Sequence, residues 1–398
     1  MKTIIILGLT YNQIPLIQKV QEMGYRAVAI GVGGGEPAAC TYADAWFPID
    51  TSDMGAVLDL AVRERAVGLV TCGTSTAICT IAYVTEKLKL SDRVISYETA
   101  VNATFKDRFR GLIGDLLPSG ISATSLEEAS AESQRFTFPV VLKPADGGGG
   151  KGITVVAASP KGPFTEAYEH ALAHSRGRVV IVEELVEGTV VGVESFVLDG
   201  AVYVLAIADK LMSAPPHCIT LGVAFPTRLD EKIQDRIREV NEEAIDRLGI
   251  SWGATHIDVA IDKHGSPKII DIGPRLAGGA ISSRLLPSAY QYDLYGATIR
   301  LAVGEMPAAP GMKDRNFYGS RFLLAPASGT IRSIRYSEDV ARANNILDVT
   351  QLTPRGFVLR NTCDDSARLL MFTTKANSYE QVLSNLDLFA ASVRVEMA

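Results

Sequence analysis

The chain has 398 residues, of which 47% are hydrophobic and 21% charged, and its mean hydropathy is +0.15. At roughly 150 residues per domain, this length predicts two or three domains with a large buried core, and the composition excludes a disordered chain. Lys and Arg number 39 against 45 Asp and Glu, a formal net charge of −6. That balance argues against nucleic acid or an anionic membrane as the partner and favours small molecules.

The cysteines form neither a CxxC pair nor a closely spaced framework; they are Cys40, Cys72, Cys79, Cys218 and Cys363. This pattern argues against a zinc site or a disulfide scaffold and fits a reducing cytoplasm. The N-terminal apolar run stops at Gly8, which is too short for a membrane-spanning helix. We therefore expect a first buried strand there and a cytoplasmic location.

The N-terminal region alternates apolar runs with helical periods: TIIILGL, a helix up to Gly24, RAVAIG, and VGLVTCG followed by STAICTIAYVTEKL. Continuous β-branched runs separated by helices predict a parallel, doubly wound sheet. A dinucleotide motif is formally present at Gly33, Gly35 and Ala38, but it follows the second predicted strand and Pro37 interrupts it. We therefore do not predict NAD binding.

Helix and strand patterns follow in alternation beyond Asn102. ATFKDRFRGLIGDL predicts a helix, FPVVLKPADGGGGKGITVVAA a strand, glycine loop and strand, and Asp199-Gly200 the turn of a hairpin. A helix is expected from about Asp230 to Leu248, then two strands joined by a turn around Lys263 to Gly265. After Pro307, the runs SRFLLAPA, GFVLRNT and RLLMFTT and a final helix at SYEQVLSNLDLFAAS predict a small α+β domain.

The segment from Gly147 to Gly152 predicts a phosphate-binding loop. Its four consecutive glycines leave backbone N–H groups open to an anion. It is not a Walker A loop, because Gly152 stands where a magnesium-binding Ser or Thr is needed; a flexible hairpin tip is the alternative. Lys143 lies on the strand before the loop, and a buried cation needs an anion beside it, so we expect it beneath the same phosphates.

Two acidic residues interrupt the strands THIDVAID and KIIDIGPR. Paired strands would bring the carboxylates of Asp258 and Asp271 together, which requires a cation between them. Magnesium is the cation that an ATP site supplies. Arg275 follows at a distance that lets it reach a transferring phosphoryl group. Solvent-facing acids would be the ordinary explanation for either one alone.

In the order of these parts the chain resembles the ATP-grasp superfamily: biotin carboxylase, the carbamoyl phosphate synthetase large subunit and, most closely, the L-amino-acid ligases that form dipeptides. The resemblance implies an α/β and α+β ATP-grasp fold in three parts. These are a Rossmann-like pre-ATP-grasp domain over 1–103, an ATP-grasp domain over 104–308 with a mobile lid at about 120–183, and a C-terminal α+β domain over 309–398. It also implies small-molecule carboxylate and amine substrates, an acyl phosphate, ATP with Mg²⁺ or Mn²⁺, and a homodimer.

The resemblance also assigns roles to individual residues. Lys106 and Lys143 are similar to the phosphate-contacting lysines, and the lid loop is Gly147, Gly148, Gly149, Gly150, Lys151 and Gly152. Glu183, Glu184 and Val186 are similar to the family's adenine hinge, and Asp258 and Asp271 are similar to its two metal ligands. Arg275 is similar to the catalytic arginine, and Gly278 and Gly279 are similar to the paired glycines near the reacting carboxylate. The family's DK…PP…G…P substrate loop is similar to Lys210, Pro215, Pro216, Gly222 and Pro226.

Several positions depart from the family pattern. Asp271 and Gly273 replace the usual Glu and Asn at the second metal position, and Val190 replaces the ribose-binding glutamate, for which Glu187 or Glu194 could substitute. Thr220 and Val223 replace an acidic residue and a histidine of the substrate loop, which suggests a different substrate. His217 is the candidate general base and substrate residue, with an ordinary loop histidine as the alternative, and His256 is expected to pack beside the metal strand.

The expected activity is therefore ATP-dependent carboxylate-amine ligation that releases ADP and phosphate. The alternatives are an ATP-grasp carboxylase or purine-type ligase, and a degenerate protein that binds nucleotide without turnover. A biotin carboxylase is disfavoured because we find no carrier domain or biotin-lysine motif in the sequence.

Overall fold

The N-terminal region contains a four-stranded parallel sheet, as the apolar runs predict. The computed structural model describes residues 1–32, 39–157, 162–311, 316–360, 362 and 364–398, so the rejected dinucleotide motif and Cys363 lie outside the described residues. The strands are β1 (Thr3–Leu7), β2 (Arg26–Ile30), β3 (Ala45–Phe47) and β4 (Ala66–Val70), in the order β3-β2-β1-β4. The helices are α1 (Ile14–Glu22), α2 (Met54–Arg63) and α3 (Ile78–Leu88).

The loops at the carboxyl ends of β1 and β4 leave from the same edge of this parallel sheet. That edge faces the rest of the chain, since Gly73 N–H donates to the Leu276 carbonyl at 3.0 Å. Ligands of open α/β sheets bind at this edge. The first loop and the loop after β4 are therefore placed beside the RLAGG segment.

Two helices occupy the region where the sequence predicts one. They are α4 (Tyr97–Thr104) and α5 (Lys106–Ile113), and Phe105 between them is extended, with φ −92° and ψ 122°. The break places Lys106 in the first turn of α5, where its backbone N–H donates to the Ala145 carbonyl at 2.9 Å. The side chain of Lys106 consequently begins next to the glycine loop.

A separate antiparallel sheet forms the region predicted as the lid. It comprises β5 (Gly120–Ala123), α6 (Leu126–Ser133), β6 (Val140–Pro144), β7 (Thr154–Val156), α7 (Pro163–Ala173) and β8 (Val180–Glu184), with strand order β5-β8-β6-β7. It has its own core, which includes Leu142, Phe164, Tyr168 and Val182. The glycine loop connects β6 to β7 and is therefore the tip of a hairpin in this sheet.

The central body and the C-terminal region share one eight-stranded sheet. The body supplies β9 (Gly188–Leu198), β10 (Ala201–Met212), β11 (Thr220–Phe225), α8 (Glu231–Arg247), β12 (Trp252–Asp262), β13 (Pro267–Gly273), a π-helical turn (Ile281–Leu285), α9 (Leu286–Tyr290) and α10 (Leu294–Ala302). The hairpin between β9 and β10 turns at Asp199 and Gly200, both with positive φ, as predicted.

The C-terminal region supplies β14 (Phe317–Leu324), β15 (Gly329–Arg335), α11 (Glu338–Ala343), β16 (Ile346–Gln351), β17 (Val358–Leu359), β18 (Arg368–Ala376), α12 (Tyr379–Ser392) and β19 (Arg394–Met397). The large sheet runs β13-β12-β9-β10-β11-β14-β18-β16, so it continues across the domain boundary that the sequence suggests. At the junction, a Cβ on Gly222 would overlap the backbone of Ser320, so only glycine allows β11 and β14 to pair this closely. The elements not foreseen here, β15, β16, α11 and β19, are short and contain few fully buried residues.

The structure also describes several of the cysteines and all of the long helices in the described ranges. Cys72, Cys79 and Cys218 are free thiols. Within the described ranges, no helix combines the length and apolar character needed to cross a membrane.

Candidate active site

The two predicted metal-binding acids lie opposite each other on β12 and β13. Asp258 and Asp271 are direct partners in the antiparallel register, so both side chains project from the same face of the sheet. Burial and the nearby Asp258 charge raise the pKa of Asp271, but Lys106 and Lys143 together lower it more, so the net pKa lies below its ordinary value. The expected pairing of two carboxylates across a short turn is therefore present.

Each of these acids is held by a lysine. Lys106 Nζ lies 2.8 Å from Asp271 Oδ1, and Lys210 Nζ lies 2.6 Å from Asp258 Oδ2. Lys106 also donates to the Gly147 carbonyl at 3.2 Å, which connects the acid pair to the glycine loop. Lys106 therefore stands between the acids and the predicted phosphate position, and Lys210 of the substrate loop reaches the same face.

Glu194 and His256 extend the charged face along the next strand. His256 Nδ1 lies 2.6 Å from Glu194 Oε1, and His256 Nε2 lies 3.2 Å from Asp258 Oδ1. Burial lowers the pKa of His256, but the two carboxylates raise it more, to about 9. His256 is therefore protonated at neutral pH and, with Lys210, keeps Asp258 ionised, because together they outweigh the burial that raises the pKa of that carboxyl.

Lys143 is buried on β6 and is held from two sides. Its Nζ donates to Glu183 Oε1 at 2.5 Å and to the Ile270 carbonyl at 2.7 Å. Arg110 of α5 binds the second oxygen of Glu183. Burial lowers the pKa of Lys143, while Glu183 opposes the shift and Lys106 adds to it. The Glu183 carboxylate thus fixes the lysine under the glycine loop.

The glycine loop adopts a conformation that other residues rarely take. Gly149, Gly150 and Gly152 have φ of 68°, 77° and 74°, in the left-handed region that costs glycine least. A Cβ at Gly149 would overlap the carboxylate of Asp365 from the C-terminal region, whereas a Cβ at Gly148 would meet nothing within 4 Å. The exposed Lys151 lies in the same loop. The loop tip therefore approaches the C-terminal region over the site.

Arg275 leaves β13 and points toward the N-terminal domain. Its Nε donates to Ser75 Oγ at 3.2 Å and its Nη1 to the Leu276 carbonyl at 3.2 Å. A Cβ at Gly273 would lie 3.2 Å from the guanidinium carbon of Arg275. The glycine that replaces the expected metal-binding asparagine therefore gives this arginine its room.

The paired glycines are held by the first loop of the chain. Gly279 N–H donates to Asn12 Oδ1 at 3.1 Å, and a Cβ on Gly278 would lie 3.0 Å from the same oxygen. On the other side, a Cβ on Gly279 would lie 3.0 Å from the ring of Phe322 on β14. Both glycines therefore lie between the N-terminal domain and the C-terminal region.

His217 is placed apart from the acid pair. Its charge acts on His170 of α7 and lowers the pKa of that histidine, after burial and His174. His217 Nδ1 is buried and has no hydrogen-bond partner among the described residues. The hydrogen bonds of the described residues do not join it to Asp258, Asp271 or Arg275, so its role as a base stays a prediction.

The hinge residues are at the end of β8. Glu183 binds Lys143 and Arg110, and Glu184 Oε1 accepts the Thr137 N–H at 2.7 Å. The carboxylates of Glu183 and Glu184 are therefore both engaged within the protein, and the adenine contacts of this segment stay a prediction. Glu187 is exposed, whereas Glu194 is only 3% exposed and bound to His256. Of the two candidates for binding ribose, Glu194 is thus already bound to His256, next to Asp258.

The residues at the acid pair fit a magnesium ion that is shared with a nucleotide. Asp258 Oδ1 is buried and has only the ion pair with His256 Nε2 at 3.2 Å among the contacts of the described residues, and Asp258 is the register partner of Asp271. No cluster of three or more His, Cys, Asp or Glu side chains able to hold a metal occurs among the described residues. Two carboxylates suit Mg²⁺, which takes its remaining ligands from phosphates and water.

Three residues of the site are absent from the sequence prediction, and a fourth, His256, is expected from the sequence only to pack beside the metal strand. Asn12, Ser75 and Arg110 contact predicted site residues from other elements, and His256 bridges Glu194 and Asp258. Lone Asn, Ser and Arg residues in loops or helices carry no pattern that distinguishes them. The x-His-x-Asp alternation on β12 is the one available signal, because it places His256 on the same face as Asp258.

Comparisons with known proteins match two regions of the chain to family models. The ATP-grasp domain model matches residues 116–279, and the model of L-amino acid ligase C-terminal domain 2 matches residues 321–398. The crystal structure of an L-amino acid ligase from Bacillus licheniformis superposes with a TM-score of 0.84 at 19% identity, covering 100% of this chain and 99% of that one. At that identity the superposition shows the fold.

Two curated relatives match over a large part of the chain. Protein y4rH of Sinorhizobium fredii is 26% identical over 300 residues, 72% of this chain and 60% of its own length. The L-arginine-specific L-amino acid ligase of Bacillus subtilis is 20% identical over 275 residues, 66% of this chain and 65% of its own length. The chain thus spans less than two thirds of either relative. The chain therefore contains an ATP-grasp domain and an L-amino acid ligase C-terminal domain 2, and it has the fold of the L-amino acid ligase structure.

Proposed function

We propose that the protein is an ATP-dependent ligase that joins a carboxylate to an amine, with amino acids or related small molecules as substrates. The observation that carries the proposal is the assembly on one face of two opposed acids, Asp258 and Asp271, with Lys106 joining them to the glycine loop. This group of charged residues suits a nucleoside triphosphate bound together with its metal ion. The two family matches support ligation, because one is the C-terminal domain of L-amino acid ligases.

The reaction proceeds in two steps. A carboxylate oxygen of the first substrate attacks the γ-phosphorus of ATP, and the bond to the β–γ bridging oxygen breaks, which releases ADP and leaves an acyl phosphate. The amine of the second substrate then attacks the acyl carbon, loses a proton and expels phosphate, which forms the amide. Positioning and electrostatic stabilisation supply most of the catalysis in such transfers.

The charged residues divide this work. Lys106 and Lys143 neutralise phosphate oxygens beneath the glycine loop, whose backbone N–H groups cover the same phosphates with Lys151 nearby. Asp258 and Asp271 would hold Mg²⁺, which neutralises the charge of the phosphates when bound. Arg275, with the room that Gly273 leaves, binds the carboxylate and stabilises the charge that moves onto it during phosphorylation.

The test is a screen of substrates. The protein is incubated with ATP, Mg²⁺ and the proteinogenic amino acids, singly and in pairs, and the release of phosphate and the masses of the products are measured. A product equal in mass to both substrates less one water, formed with equimolar phosphate, supports the proposal. Nucleotide binding without phosphate release over the whole panel supports the degenerate alternative, and phosphate release that needs bicarbonate supports the carboxylase.

A matched variant tests the role of Arg275. Replacement by Ala removes one electrostatic donor and is expected to reduce kcat by roughly 100- to 1000-fold, about 3 to 4 kcal/mol. Arg300 pairs with Glu305 at the surface and is half-exposed, so Arg300→Ala is the control and should turn over normally. Normal turnover of Arg275→Ala would contradict the assignment.

A further inference from the structure

A second arginine lies on the far side of the paired glycines from Arg275. Arg368 is the first residue of β18 in the C-terminal region, and its guanidinium carbon lies 4.0 Å from the centre of the Phe322 ring. The edge of that ring is the neighbour that a Cβ on Gly279 would meet at 3.0 Å. Arg368 and Gly279 therefore pack against opposite parts of one aromatic side chain.

The guanidinium is anchored but not saturated. Its Nη2 donates to the Thr220 carbonyl of the substrate loop at 3.0 Å, and its side chain is 16% exposed. The carboxylate of Asp365 lies 3.7 Å from Nη1, which is beyond hydrogen-bonding distance. Nε is buried and has no hydrogen-bond partner. An arginine that served only packing would be expected to have these donors satisfied, because unpaired buried polar groups are costly.

The first loop of the chain completes the surroundings. Burial raises the pKa of the Tyr11 hydroxyl, and the adjacent Arg368 and Asn12 oppose that shift. Tyr11 also packs beside Phe322, Met371 and Ala280, and its neighbour Asn12 holds Gly279. Aromatic side chains from two domains and a guanidinium whose Nε has no hydrogen-bond partner thus lie beside the glycines.

We propose that Arg368 binds a carboxylate of the substrates other than the one that is phosphorylated, namely the free carboxylate of the amino acid that supplies the amine. This inference rests on the proposed function and adds a residue to it. Arg275 serves the reacting carboxylate on one side of Gly278 and Gly279. A guanidinium on the other side suits a second planar anion, to which it can donate two parallel hydrogen bonds. Tyr11 and Phe322 pack together beside Arg368.

The test compares each substrate with its uncharged analogue. With an amino acid pair that the wild-type protein condenses, the amine-supplying partner is replaced by its carboxamide, for example L-alaninamide for L-alanine. Loss of one charge-assisted interaction is expected to raise the KM for that partner roughly 10- to 100-fold in Arg368→Gln, with kcat within a few-fold. The carboxamide should already show the weaker KM with the wild-type protein, and Arg368→Gln should weaken it no further.

Controls separate the outcomes. Arg342 is exposed and pairs with Asp339, so Arg342→Gln should leave both KM values unchanged, and equal ADP affinity confirms that Arg368→Gln is folded. A change confined to the KM of the acyl donor, measured with aspartate and with asparagine as the acyl donor, would overturn the assignment to the amine partner. Unchanged KM values for both substrates in Arg368→Gln would overturn the inference alone, while a wild-type protein that makes no amide would refute the proposed function and the inference with it.

Discussion

Glu183 allows the sharpest test of how the charged site is held together. Glu183 is only 3% exposed, and its carboxylate binds both Lys143 and Arg110. Replacing it with Gln keeps the shape and removes the charge, which leaves two cations facing a neutral amide. Breaking a buried ion pair from one side costs about 3 to 5 kcal/mol, because the remaining charge stays buried without compensation. We expect Glu183→Gln to lower the melting temperature by roughly 5 °C, because the entropy of unfolding scales with chain length.

The assay is thermal unfolding of a set of variants. Glu184 is the next residue on β8 and accepts a hydrogen bond from the exposed Thr137 backbone, so Glu184→Gln is the matched control, with an expected loss below about 1 kcal/mol. Lys143→Met in the Glu183→Gln background should recover part of the loss, since it removes the stranded ammonium. A Glu183→Gln protein that melts with the control would refute the reasoning, as would a double variant whose losses simply add.

The pH dependence of this variant follows from Lys143. Glu183 is the main group that opposes the burial-driven lowering of the pKa of Lys143, so its loss lowers that pKa further. The unfolded state, where lysine has its ordinary pKa of 10.5, then binds more protons than the folded state, and stability rises with pH. The deficit of Glu183→Gln should therefore shrink as the pH rises toward 10.5, and a constant deficit over that range would contradict this account.

Three further predictions concern other parts of the molecule. The raised pKa of His256, about 9, contributes stability that is fully present below the ordinary pKa of 6.5 and is lost as the pH rises through about 9. Glu194→Gln should lower the pKa of His256 more than Asp258→Asn does, which histidine NMR titration measures. The reverse order would count against the network of Glu194, His256 and Asp258. Burial raises the pKa of Cys72 to about 11, so iodoacetamide at pH ~8 should leave this thiol unmodified in the native protein and label it after denaturation, with native labelling the contrary result by mass spectrometry. Gly222→Ala should destabilise the sheet by several degrees in thermal unfolding, because its Cβ would overlap the Ser320 backbone, whereas Gly148→Ala has open space and should not; equal melting temperatures would contradict the close approach of β11 and β14.

The site could be predicted from the sequence wherever its geometry is local. Asp258 and Asp271 belong to two strands joined by a short turn, so the period of a strand and the length of the turn fix their register. The glycine loop follows from the chain in the same way. The position of Lys106 in the first turn of α5 depends on the break at Phe105, which the helical sequence pattern does not reveal.

The rest of the site depends on contacts between distant segments. Glu194 meets His256 because β9 pairs with β12, and Lys210 meets Asp258 because β10 lies beyond β9. No local pattern gives the alignment of strands so far apart in the chain. Ser75 and Arg368 are further cases, since each comes from a region that the sequence treats as separate from the metal strands.

The division of the site between two sheets has a consequence for how such a protein diverges. The glycine loop belongs to the four-stranded sheet, whereas the acid pair, the substrate loop and Arg368 lie on or beside the eight-stranded sheet. Substitutions in the loops that surround Thr220, Phe322 and Arg368 can therefore alter the choice of substrate without disturbing the hairpin that covers the nucleotide. Under the proposed function, the glycine-loop hairpin and the acid pair can stay unchanged while these loops adapt to a new acid or amine.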